Sequence, residues 1–237
     1  MSAQRQKLES APSHDQSLAP APRSRRLSRF LLLTALVSMA IVLSAYGSSS
    51  SGEDANREAA AAAINCDAPA GPSVDWSDCD KSNANLRDAN LRDAILFNTN
   101  LRKANLRKAN LRDADLIRAN LRKANLRKAK LRDADLINAN LLRAKLTNAK
   151  LSDAELRNAN LRKANLHGAF LNGANLRKAK LRRANLSGAY LRNVDLTGAN
   201  LTNANLSSVY LVGAECDSLT TWPDGTKGHG SVCPSSD

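Results

Sequence analysis

Side chains able to carry out bond-making chemistry are few in this chain and stand far apart. His14, His167 and His229 are separated by long stretches, and the serines gather in segments such as Ser48–Ser51, so no nucleophile–base pair can be read. No catalytic set and no cofactor site is expected, and the chain reads as non-enzymatic. What does recur is charge. Arg102/Lys103, Arg122/Lys123, Leu142/Arg143, Arg162/Lys163 and Arg182/Arg183 return every twenty residues, as do Asp113/Asp115, Asp133/Asp135 and Asp153/Glu155. If folding stacks these sets, the cations form a face that attracts an anionic polymer or lipid headgroups. The carboxylates would offer oxygen ligands for calcium, or be neutralised by Arg112, Arg118 and Arg132, which is the preferred reading. Cys66, Cys79, Cys216 and Cys233 are the remaining reactive groups. No CxxC pair or suitably spaced histidine accompanies them, so disulfides are favoured over zinc and no metal site is assigned.

The element that must position these groups is a tandem repeat. From Ala84 to Cys216 the pattern Ala-(Asn/Asp)-Leu-x-x recurs every five residues, with leucine at each step from Leu86 to Leu211. Thr99, Val194 and Val209 replace alanine. A helix would set successive leucines about 140° apart and bury no common face. An extended strand would alternate the alanines between its two faces. Both residues point inward only if the chain bends once per repeat, which winds it into a coil whose backbone groups pair with the coils above and below. The columns Asp93/Asp113/Asp133/Asp153, Phe97/Ile117/Ile137 and Phe170/Tyr190/Tyr210 all appear at a lag of twenty residues, so four repeats close one coil. Coils stacked at about 4.8 Å make a rod on the order of 30 Å long. The asparagine or aspartate before leucine is expected to satisfy a backbone group at the turn and to accept unusual backbone angles. Lys130, Lys145, Lys150, Phe170, Lys180, Tyr190 and Tyr210 break that pattern and must do without the bond. Phe97, Ile117 and Ile137 are expected to form a small exposed apolar patch.

In these residues the chain resembles the pentapeptide-repeat family. The resemblance covers residues 84–216 and implies an all-β, right-handed, four-sided (quadrilateral) β-helix. It is specific for fold and says little about activity. Some cytosolic proteins of similar fold act as DNA mimics that bind type II topoisomerases, which depends on an acidic rod. Here Ala84–Cys216 holds 26 basic against 10 acidic residues, so that function is not carried over.

The flanks complete the expected organisation. Residues 1–29 form a disordered tail ending in Arg23, Arg25, Arg26 and Arg29. Residues 30–47 hold an uncharged apolar run from Phe30 to Tyr46, read as one N-terminal helix that is either a transmembrane anchor or the core of a signal peptide. The arginines before it place the N-terminus inside and the repeats outside. Residues 48–65 are a linker, 66–83 an N-terminal cap and degenerate first coil with Trp76 at a leucine position, and 217–237 a C-terminal cap and tail with a turn at Pro223-Asp224-Gly225. The even cysteine count beyond an export segment favours disulfides. Of three connectivities, Cys66–Cys79 with Cys216–Cys233 is preferred, because the rod separates the two pairs.

The expected function is that of an exported, membrane-anchored or secreted rod whose basic face (Arg102, Lys103, Arg122, Lys123, Arg143, Arg162, Lys163, Arg182 and Arg183) binds an anionic envelope polymer or lipid headgroups. Nucleic acid is disfavoured, since the rod is placed outside the cytoplasm and aromatic interleaving is missing. The alternative is a structural spacer whose charges only keep it soluble.

Overall fold

The structure is a computed structural model that describes residues 64–228 and Cys233, which belong to one compact unit, Ala61–Asp237. The expected tail at 1–29, the apolar run at 30–47 and nearly all of the linker lie outside the described residues. Among the described residues no helix is long and apolar enough to cross a membrane.

The fold follows from where each repeat sends its five N–H groups. Around Asn90-Leu91-Arg92-Asp93-Ala94, Leu91 N–H donates to Asn110 O of the next coil (2.7 Å) and Asp93 N–H to Arg112 O (2.9 Å). Ala94 N–H closes the turn on Leu91 O (3.2 Å), and Ile95 N–H reaches back to Val74 O (2.9 Å). One N–H is left over, that of the residue after leucine. It is met by the side chain before leucine: Arg92 N–H donates to Asn90 Oδ1 (3.4 Å), Ile117 N–H to Asp115 Oδ1 (2.9 Å) and Thr197 N–H to Asp195 Oδ1 (2.9 Å). A short side chain with an acceptor oxygen at that position therefore completes the hydrogen bonding of the repeat.

The coil length agrees with the columns in the sequence. Parallel bridges join residues twenty apart, from Asp75↔Ile95 to Asp195↔Glu215, at every asparagine/aspartate position. Four turns and four bridges make one coil. Among the described residues the pairing consists of isolated bridges rather than strands, because a four-residue turn in each five-residue repeat leaves one residue per side to pair. Between the sides, leucine and alanine fill the interior; Leu91–Leu136 and the alanines among them are fully buried. Thr99, at an alanine position, is buried too and donates through Oγ1 to Trp76 O (2.6 Å).

The backbone angles correct one expectation. The residue that needs an unusual angle is not the one before leucine but the second one after it, the third residue of each turn. Asp93 (φ 56°), Asn98 (φ 52°), Lys103 (φ 61°) and Gly168 (φ 63°) stand there, and 24 non-glycine residues among the described ones have positive φ. This is the turn class whose third residue is left-handed.

Both ends are closed. Cys66–Cys79 and Cys216–Cys233 are disulfide-bonded, each with Cα atoms 5.5 Å apart, in the local pairing preferred from sequence. Loops of this length restrict the unfolded chain by about 3 kcal/mol each. Cys79 is buried at an alanine position and Cys216 at a leucine position. Trp76 is buried where the leucine of the first coil would be, and its Nε1 donates to Ala68 O (3.1 Å). The Lys81 ammonium, at the next leucine position, sits 4.1 Å from the Trp76 ring centroid, a cation–π contact in place of a packed leucine. At the other end Thr221↔Lys227 is an antiparallel bridge whose turn, Pro223-Asp224-Gly225, closes through Gly225 N–H to Trp222 O (2.9 Å).

Asp217 ties this C-terminal cap to the last coil. Its Oδ1 accepts from the amides of Gly198 (2.8 Å), Thr220 (2.9 Å) and Leu219 (3.1 Å). These bonds, that of Gly198 first, hold the carboxyl below its ordinary value of 3.8. A depressed carboxylate contributes stability that is present above the ordinary value and lost as pH falls through the lower folded one. We therefore expect amide exchange at Leu219 and Thr220, corrected for intrinsic rate, to accelerate on acidification below about pH 4. Asp217→Asn should remove that acceleration. A pH-independent cap in the native protein would show that Asp217 does not hold it.

Candidate anion-binding corner

The turns that follow Leu101, Leu121, Leu141, Leu161 and Leu181 stack into one corner of the rod. Their register is set on one side by the bridges from Asn100 through Asn120, Asn140 and Asn160 to Lys180, and on the other by those from Asn105 through Asn125, Lys145 and Asn165 to Asn185. Asparagine ladders run along both flanks: Asn120 Nδ2 donates to Asn100 Oδ1 (3.1 Å), Asn160 Nδ2 to Asn140 Oδ1 (3.3 Å) and Asn125 Nδ2 to Asn105 Oδ1 (3.3 Å). Side chains at the corner are thereby fixed in register while their own ends stay in water. All nine candidate residues, Arg102, Lys103, Arg122, Lys123, Arg143, Arg162, Lys163, Arg182 and Arg183, are brought together there and exposed.

The ion pairs fall elsewhere on the rod. Arg87 meets Asp88 (3.1 Å), Arg92 meets Asp93 (3.3 Å) and Asp113 (3.8 Å), and Arg132 meets Asp133 (3.5 Å) and Asp153 (3.7 Å). Arg157 pairs with Glu155 (3.3 Å) and Arg177 with Asp195 (3.6 Å). Among the described residues no ion pair involves any of the nine corner cations. Like charges about 5 Å apart repel by about 0.8 kcal/mol in water before screening. A column of such pairs holds repulsion that falls as salt screens it.

The basic surface is wider than these nine residues. Lys145 and Lys180 stand in the flanking bridge columns, and Arg107, Lys108, Arg127 and Lys128 occupy the turns of the next corner. The same twenty-residue lag that found the corner would have found them. Lys103, Lys123, Arg143, Lys163 and Arg183 all have positive φ, which the period alone does not show.

The carboxylates are already engaged. Asp113, Asp133, Asp153 and Glu155 meet arginines, of which Arg132 alone was anticipated; Asp115 and Asp135 accept from the turn amides of Ile117 (2.9 Å) and Ile137 (3.1 Å). Among the described residues no group of three or more His, Cys, Asp or Glu is arranged to hold a metal ion. The apolar column requires a correction. Phe97, Ile117 and Ile137, read as an exposed patch, are half-buried, with the Arg118 guanidinium 5.9 Å from the Phe97 ring centroid. The aromatic column stacks: Phe170 and Tyr190 have ring centroids 4.9 Å apart, Tyr190 and Tyr210 5.2 Å apart.

A coil of twenty residues with an inward leucine and alanine per side defines a class of solenoid, and sequence comparison assigns it. The family model for pentapeptide repeats matches residues 77–113, 114–153, 139–177 and 179–215, and the chain belongs to that family. No curated protein matches the chain. Among solved structures it is similar to a pentapeptide repeat protein of the cyanobacterium Cyanothece 51142, with 45% identity over 39% of this chain and 63% of that one, and a TM-score of 0.39. It thus spans less than two thirds of that protein. HetL, a pentapeptide repeat protein involved in heterocyst differentiation regulation from Nostoc sp. strain PCC 7120, is 29% identical over 76% of this chain and all of its own, with a TM-score of 0.23. QnrB1, a plasmid-mediated fluoroquinolone resistance protein, is 23% identical over 62% of this chain and 83% of its own, with a TM-score of 0.32.

Proposed function

We propose that the chain is a non-enzymatic rod, a right-handed four-sided β-helix, that binds a linear polyanion along the corner from Arg102 to Arg183. One observation carries the reading: nine exposed cations stack in register on a corner where, among the described residues, no carboxylate pairs with them. The two disulfides and the apolar run at 30–47 support a location outside the cytoplasm, anchored or released, where the polyanion is an envelope polymer or a layer of anionic headgroups. A topoisomerase-directed DNA mimic presents acidic rather than basic columns, so the charge of this rod opposes that role.

The test measures binding of the oxidised full-length chain to inorganic polyphosphate, and to anionic and neutral vesicles, across a salt series. The companion variant changes Arg102, Lys103, Arg122, Lys123, Arg162 and Lys163 to Gln. Binding to polyphosphate or anionic vesicles should fall steeply with salt, and the variant should bind at least tenfold more weakly. Equal binding by the two proteins would leave the rod as a spacer whose charges serve solubility.

A further inference from the structure

We propose a second site, for a planar aromatic group carrying an anion, beneath the Phe170 ring. One bridge column runs from Lys130 through Lys150, Phe170 and Tyr190 to Tyr210. Its upper three members form a stack, with Phe170 and Tyr190 within 3° of parallel and Tyr190 and Tyr210 within 9°. Tyr190 therefore covers one face of Phe170. One coil along, the other face meets Lys150, which has no ring to continue the stack. A cleft of about 260 Å³ opens there, lined by Arg112, Arg132, Lys150, Ser152 and Phe170. That volume lies just below the range typical of sites for drug-sized ligands, so a ring system and its anion occupy it while the part that links them stays in water.

The chemistry of the lining defines the ligand. An aromatic ring inserted below Phe170 becomes the next rung of the stack, at the offset-parallel spacing that rings prefer. The cleft supplies Arg112, Lys150 and a hydroxyl, together with Arg132, whose charge is shared with two carboxylates that are not among the lining residues. Arg132 is oriented from outside the cleft by Asp133 (3.5 Å) and Asp153 (3.7 Å). Guanidinium groups recognise phosphate or carboxylate through paired N–H donors, and the Lys150 ammonium adds a point charge on the same side. Phe170 and Lys150 both stand where the repeat normally places asparagine. Neither side chain carries an acceptor oxygen, so the amides of Asn172 and Ser152 receive no bond from it. The site lies on a side of the coil that the Arg102–Arg183 corner does not border, so it is independent of the polyanion surface.

The departure from the repeat also supplies a safe test. Phe170→Asn and Lys150→Asn restore the family residue and keep the coil. With adenosine monophosphate as probe, titrated calorimetrically into the oxidised full-length chain, each variant should bind at least tenfold more weakly than the native protein. Adenosine alone and inorganic phosphate alone should also bind at least tenfold more weakly than the monophosphate. The Gln variant of the basic corner should keep its affinity for the monophosphate within twofold. Unchanged binding by Phe170→Asn overturns the proposal. So does inorganic phosphate binding as well as the nucleotide, which would reduce the cleft to a patch of charge. Neither result bears on the polyanion corner.

Discussion

Changing Lys103, Lys123, Arg143, Lys163 and Arg183 together to Asn should make the rod more stable and a poorer polyanion binder at once. All five side chains stand at the third residue of a turn with φ between 57° and 61°. An L-residue with a long side chain is strained there by about 1–2 kcal/mol, whereas asparagine accepts the left-handed region through local hydrogen bonding. The rod already contains that solution: Asn98 (φ 52°) sits above Asp78 (φ 58°) and donates to its Oδ1 through Nδ2 at 2.6 Å. Recovering about 0.5–1 kcal/mol per site gives a total of about 2.5–5 kcal/mol, to which relief of the charge column adds. The same five changes remove five of the nine corner cations, and affinity for polyphosphate should drop at least tenfold. Urea denaturation and polyphosphate titration of one protein sample measure both quantities. Loss of binding in a stabilised protein cannot be blamed on unfolding. If stability rises and binding is unchanged, the strained cations are not the binding surface; if stability falls, the positive φ is not a cost in this fold. Selection for stability alone favours Asn, Asp or Gly at these turns, yet Lys108, Arg118, Lys128 and Lys178 carry the same positive φ on other corners, so the polyphosphate titration rather than the strain decides whether this corner binds.

That strain marks where the sequence stops being legible. The coil length was readable because charge and ring columns repeat at twenty residues, and the bridges from Asp75↔Ile95 onward have that spacing. The role of the residue before leucine was readable as well, because few side chains other than Asn and Asp can reach the amide two residues on. The angle was misplaced. Asn, Asp and Gly also crowd the third turn position, at Asp93, Asn98, Gly168 and Gly173, but nine lysines and arginines stand among them and obscure the preference. Half-burial of Phe97, Ile117 and Ile137 was hidden for another reason. Outward position was inferred from period alone, and period does not say that side chains stacked at a corner shield one another. The cleft below Phe170 needed both the register and the order of residues in a column. That order, Lys150 followed by Phe170, is visible in the sequence once the column is known.

The core separates a continuous solenoid from a loosely wound one. Leu136 is fully buried in the middle of the rod, between Leu116 and Leu156 of the coils on either side. Leu136→Ala removes three buried carbons from a position whose neighbours are fixed by bridges at every side of the coil, so the gap cannot close. Such a loss costs about 2–5 kcal/mol, toward the upper end where collapse is blocked. Leu206 holds the same repeat position in the last full coil but is only partly buried. Its change to alanine should cost about 1 kcal/mol, since less apolar area leaves water and less cavity remains. Coils touch only their neighbours, so stability is close to a sum of coil and interface contributions. The central substitution should therefore also concentrate its effect. Amides of Leu116–Ala159 should lose protection against hydrogen exchange by two orders of magnitude or more, while those of Leu181–Leu201 keep most of theirs. Equal losses for Leu136→Ala and Leu206→Ala in urea denaturation would mean that the interior yields as easily as the end, contrary to a filled, bridged core.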